Sequence, residues 1–179
     1  MPRDATLTRS RLLRAGEQRF ARDGVTGARI SDVVRDAGQA NDSAVGYHFG
    51  SRQGLLDAIV AKHVAAMDVR RQLPPRSEGM RSLVDAIVRP TADLLSTDDG
   101  RDFLRITEQL ADWSGVGAGR PAAPLRGMVI GTQLEALARR LGERVGMPLA
   151  RERVSLMVIF LTGALAARAR SVESRQRQR

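Results

Sequence analysis

Asn41, Asp42 and Ser43 stand together just ahead of Ala44, and Tyr47 and His48 follow closely. Side chains of these types address nucleic acid in two ways. An asparagine pairs bidentately with an adenine edge, an aspartate accepts from cytosine, and serine serves either role. A methyl such as that of Ala44 suits the thymine methyl. Tyrosine hydroxyl, imidazole and guanidinium groups suit phosphate oxygens, which position a protein on a duplex without reading sequence. Tyr47, His48, Arg9, Arg29 and Arg52 are the candidates for that role. Each residue has a plainer alternative. Asn41 or Asp42 can cap a helix, Tyr47 can pack, His48 can be a structural hydrogen bonder, and the arginines can be solvated charges.

Such residues work only if elements hold them in place. Leu12, Leu13, Gly16 and Phe20 recur at helical spacing and predict a first helix from about Thr8 to Arg22, stopped by Gly24. Ile30, Val33 and Val34 predict a second, from about Arg29 to Ala37, closed by Gly38. A third begins near Asn41 or Asp42 and ends near Tyr47. A fourth starts at Ser51, a good N-cap, and continues to about Leu73. Two short helices joined by a Gly-containing turn after a longer one make a helix-turn-helix, whose second short helix enters the major groove.

Pro74-Pro75 breaks the pattern and divides the chain into 1–50, a connecting helix 51–73, and 74–179. Four longer helices are expected beyond it, at about 78–96, 101–114, 122–144 and 148–172. Gly115 to Pro121 forms a connection between two of them. The last helix is apolar nearly all round. Val154, Met157, Val158, Leu161 and Leu165 form one stripe, with Leu156, Ile159, Phe160 and Gly163 on the other side. Such a helix needs cover on more than one face, which either a second copy of the chain, through the first stripe, or a place as the central core helix of a monomer would supply. The arginine-rich tail from Arg168 reads as a disordered end.

Composition excludes several classes. The 179 residues contain no cysteine, so thiolate metal sites, iron–sulfur ligation and cysteine nucleophiles are ruled out. Two histidines, His48 and His63, make a zinc site unexpected. No cofactor is expected. Nothing places Ser, His and Asp as a triad, and the glycines after Gly115 follow no strand, so no enzyme is expected either. Val154 to Ala167 is short of a membrane span, and no apolar leader follows Met1, so a cytoplasmic protein without a membrane partner is expected. Net charge is +9, and Lys62 is the sole lysine among 29 basic residues. The surplus divides almost evenly: 12 basic against 8 acidic residues over 1–73, and 17 against 12 over 74–179. Any case for nucleic acid therefore rests on where particular arginines stand.

The run Ala37-Gly38, followed by Ser43-Ala44-Val45-Gly46-Tyr47-His48-Phe49-Gly50-Ser51-Arg52-Gln53-Gly54-Leu55-Leu56, resembles the signature of the TetR family of bacterial regulators. Arg9, Leu12, Leu13, Phe20, Asp23-Gly24 and Ile30-x-Asp32-Val33 fall where that family places them, so the likeness covers about residues 8–65. Departures are Ala28 for a capping Thr, Arg52 for Lys and Gln53 for Glu, and a Gly38–Tyr47 connection one residue longer. The resemblance implies an all-α chain, with an N-terminal three-helix DNA-binding domain and a C-terminal helical domain for ligand binding and dimerisation. It implies a homodimer on palindromic double-stranded DNA, with a small-molecule effector that lowers DNA affinity. A ligand-independent binder or an activator is the alternative. Candidate effector contacts are Met80, Phe103, Thr107, Trp113 and Met128, each of which is otherwise ordinary core.

Overall fold

The expected helices form, with ends set by caps and breakers. A computed structural model describes residues 2–75, 79–110 and 127–177, and these contain no strand. In order they are α1 (Pro2–Asp23), α2 (Ile30–Asp36), α3 (Ser43–Phe49), α4 (Arg52–Asp68), α5 (Met80–Ala92), a 3₁₀ turn (Asp93–Ser96), α6 (Asp98–Gln109), α7 (Val129–Val145) and α8 (Met147–Arg177). The tail is helical to Arg177, which corrects the expectation of disorder from Arg168. Trp113 and the Gly115–Pro121 connection lie outside the described residues.

Local chemistry explains the boundaries. Gly38 sits at φ +69°, a left-handed conformation that glycine adopts without steric cost, and so ends α2. Ser51 is extended and its hydroxyl accepts from the Gly54 amide at 3.0 Å, starting α4 as expected. A Cβ on Gly54 would lie 1.9 Å from the Phe49 carbonyl oxygen, so the tight α3–α4 junction requires glycine there. The fourth helix ends at Asp68 instead of Leu73. The Asp68 carboxylate accepts from the Val129 and Ile130 amides and so caps α7. Beyond it the chain turns Arg71 inward.

Pro90 explains that turn. A proline in the last turn of α5 has no N–H to give the Ala86 carbonyl. The Arg71 guanidinium supplies a donor at 3.2 Å and also reaches the Ile87 carbonyl. Gln133 of α7 assists, donating to Ala86 at 3.4 Å and to the Gln72 carbonyl at 2.8 Å. Arg71 is 6% exposed and is bonded by neutral acceptors, including Gln133 and Thr91. Burial pushes its guanidinium below its ordinary pKa, and the charge of Asp68 opposes that.

Two apolar cores result. The first joins α1 to α4 around Leu12, Phe20, Val33, Val45, Leu55 and Ile59, and α6 completes it with Phe103 and Ile106. A second joins α5, α7 and α8 around Leu83, Ile87, Leu137 and Val154. This second core corrects the expected dimer stripe. Val154 is buried in it, and Met157, Val158 and Leu161 pack against it, while Leu165 is half-buried. The outward face of α8 is the other one, with Leu149, Leu156, Ile159 and Phe160 exposed, Phe160 at 77%. The sequence expectation also undercounted the length of this helix. Within Met147–Val172 an 18-residue stretch has mean hydropathy 1.4, so this helix is long and apolar enough to cross a membrane by length and composition.

Candidate nucleic-acid interface

The helix-turn-helix is built from α2, the Gly38 turn and α3. Val33, Val34, Ala37 and Val45 anchor it to the first core. The third helix starts at Ser43 and ends at Phe49, one or two residues later than expected at each end. Its start is capped by Asn41, whose Oδ1 accepts from the Ser43 amide at 2.9 Å. Asp42 occupies the N-cap position, yet its side chain makes no capping bond. Of the two expected caps, then, Asn41 caps and Asp42 is free to face outward.

Periodicity sorts the rest of α3. Ser43, Gly46 and Tyr47 share the exposed face, and Tyr47 is 82% exposed. A Cβ on Gly46 would meet nothing within 4 Å, so that face is open. Ala44 is half-buried against the core, which corrects its assignment to a base-reading surface. Phe49 packs on the same core as expected. The Tyr47 ring meets His48 edge-on at 4.9 Å, which fixes the direction of its hydroxyl-bearing end.

The arginines divide. The Arg9 guanidinium lies over the Phe49 ring at 4.9 Å, which brings the start of α1 beside the end of α3. Arg29 is exposed at the N-cap of α2, where no side chain caps the helix, as the replacement of Thr by Ala28 implies. Arg52 departs from its expected role. Its Nη2 donates to the carbonyls of Val25 and Ala28, and its Cζ sits over the Phe20 ring at 5.0 Å. It ties the α1–α2 loop to α4, and its donors face protein.

Asp23, Asp32 and Asp36 nearby are paired. Arg19 forks onto both oxygens of Asp36, at 2.6 and 2.9 Å, and also reaches Asp23 at 3.2 Å. The Arg19 hydrogen bond holds the Asp36 carboxyl below its ordinary value. Arg22, then Arg19, does the same for Asp23. Asp32 is paired with Arg35 at 2.5 Å.

Two features linking this unit to α6 were missed in the sequence. Gln109 Oε1 accepts from the Val25 amide at 2.7 Å, across 84 residues. Glu17, 1% exposed, bonds Lys62 at 2.9 Å and His63, while His63 stacks on Phe103 at 4.3 Å. A glutamate beside the apolar positions of α1 was the available signal for the second. No local pattern marks Gln109.

The solved structures agree with this architecture. A structure assigned to the TetR family of transcriptional regulators, from Rhodococcus sp., superposes with TM-score 0.51 at 21% identity, covering 92% of this chain and 89% of that one. GusR of Salmonella enterica superposes with TM-score 0.53 at 19% identity, covering 91% and 86%. The chain has the TetR-regulator fold. No family profile matches its sequence, and no curated protein does.

Within the TetR fold, the expected effector contacts are not brought together. Phe103 is 2% exposed and fills the first core against His63, which corrects its assignment to a cavity wall. Met128 is half-buried at the N-cap of α7 and packs on that same core. The Thr107 hydroxyl donates to the Leu104 carbonyl at 2.9 Å within α6. Met80 lines a separate cleft at the start of α5, and Trp113 lies outside the described residues.

Proposed function

We propose that the chain is a sequence-specific DNA-binding transcriptional regulator, and that it acts in the cytoplasm as a repressor. The observation that carries this is the open face of α3, with Ser43, Gly46 and Tyr47 outward and Arg9 beside its end. Residues 1–50 read DNA, 51–73 connect, and 74–179 bind an effector and dimerise. Asp42 and Ser43, with the free amide nitrogen of Asn41, read base edges. Arg9, Arg29, Tyr47 and His48 hold phosphates.

One such module buries little area, so two are needed for tight binding. A second copy of the chain covers Leu149, Leu156, Ile159 and Phe160 of α8, and the twofold axis makes the operator a palindrome with half-sites roughly 34–36 Å apart or a multiple of that. A small molecule in the C-terminal half releases the operator by favouring a different spacing of the two α3 helices.

A gel shift against DNA from beside the chain's own gene tests the reading. Retarded DNA at low salt, competed away by that DNA and poorly by unrelated duplex, is the expected result. Equal competition by both removes sequence specificity. Tyr47→Phe should weaken binding by a similar factor on every sequence. A changed order of preference among sequences would move Tyr47 from phosphate to base.

A further inference from the structure

We propose that the cleft between the start of α5 and the C-terminal half of α7 binds an amphipathic anion. The apolar body of that ligand rests on Met80, Leu83 and Ala136, and its head lies among Arg139, Arg140 and Arg144. This deepens the effector reading above and rests on it for its regulatory meaning.

The cleft holds about 470 Å³, within the roughly 300–1,000 Å³ of small-molecule sites. Its floor is apolar, since Leu83 is fully buried and Met80 and Ala136 are half-buried. Leu73 and Pro74 close one side. The rim comes from α7, where residues 136, 139, 140, 143 and 144 share one face. Among the described residues it carries three guanidinium groups and the carboxylate of Glu143.

Arg139 and Arg144 are not used up by the fold. Elsewhere in the chain Arg14, Arg19, Arg22, Arg35, Arg101 and Arg170 each take a carboxylate. Among the described residues, exposed Arg139 and Arg144 make no ion pair or hydrogen bond, although Glu143 shares their face. Arg140 is steadied at the mouth, where its Nη2 donates to the Pro75 carbonyl at 3.1 Å. Arg144 offsets the negative end of the α7 dipole, but Arg139 and Arg140 lie before the last turn, where that effect has faded.

A second, independent feature has the same sign. Buried Arg71 lies behind the floor. Its acceptor Ile87 is one turn from Leu83, and Gln133 is one turn from Ala136. Neutral acceptors hold Arg71, and its Nε has no hydrogen-bond partner. Asp68, the acid that acts on it, spends its carboxylate on α7 amides. Positive charge thus stands behind the floor as well as around the mouth, and low-dielectric walls concentrate such a field. An apolar amine would be repelled, and a neutral molecule would leave Arg139 and Arg144 unmet.

Calorimetry on the full chain with octanoate, octan-1-ol and octylammonium tests the site. Saturable binding of one octanoate per chain, at least about tenfold tighter than the alcohol or the amine, is expected. Arg139→Gln with Arg144→Gln should weaken octanoate about tenfold or more, and Arg139→Gln alone should leave the melting temperature unchanged, because Arg139 is exposed and stands outside the last turn of α7. Arg139→Glu should cost at least as much. Equal affinity for octanoate and octan-1-ol, no saturable octanoate binding, or unchanged affinity in both variants overturns the proposal. A gel shift with the same preparations keeps the two readings apart. DNA binding without octanoate binding removes the site and keeps the regulator, whereas octanoate binding without any DNA binding removes the regulator and keeps the site.

Discussion

Arg52 and Tyr47 belong to one short stretch and do opposite things. Tyr47 stands in solvent, while Arg52 reaches back to the loop behind α1. Arg52→Ala removes the donor for two carbonyls and uncovers Phe20. The expected loss is about 1–3 kcal/mol of unfolding free energy, measured in urea. Unchanged stability together with weaker DNA binding would return Arg52 to the DNA surface. The contrast shows what the sequence made legible at this scale. Ser51 was readable because a cap depends on neighbours within one turn. Arg52 was not, because its partners stand 24 and 27 residues away and folding alone brings them near. Ala44 was misread for a related reason. The composition of α3 says which residues are small or polar, but its rotation is set by the core beneath it.

At the scale of elements, α1 and α4 are joined by a buried polar knot as well as by apolar contact. Burial pushes the Glu17 carboxyl up, yet the hydrogen bonds and charges of His63 and Lys62 outweigh this and hold it below its ordinary value of 4.5. A carboxyl lowered in the folded state binds protons more readily when unfolded, so its contribution is complete above about pH 4.5 and is lost as pH falls through the folded value. Asp36 and Asp23 are lowered too, by Arg19 and Arg22, and steepen the same loss further down. Glu17→Gln should be less stable at neutral pH and should lose less on acidification, as followed by urea midpoints across the acid range. A curve parallel to that of the parent chain would show that Glu17 is not the group responsible. Helix number and order were readable from apolar spacing, and capping explains most ends. The end of α4 was not, since it depends on Pro90 and on the start of α7.

For the molecule as a whole, α8 presents two apolar faces, and the described residues cover only one. The sequence showed that both existed but not which one faced inward, because that is decided by α5 and α7. Phe160→Glu places a charge on the outward face and should weaken self-association by about 2 kcal/mol or more, read by sedimentation velocity. The same change at Val154 should damage folding instead. Sedimentation of the Phe160 variant as the parent does would move the interface elsewhere. The shared first core has a different consequence. Phe103 and Ile106 of α6 fill the space on which the helix-turn-helix rests. Cutting at Pro74-Pro75 would therefore open a socket to water, and the intact chain should melt in one calorimetric transition, not two. A helix-turn-helix of this build is not a detachable module: moved into another chain without α6, it would leave behind Phe103 and Ile106, part of its own core.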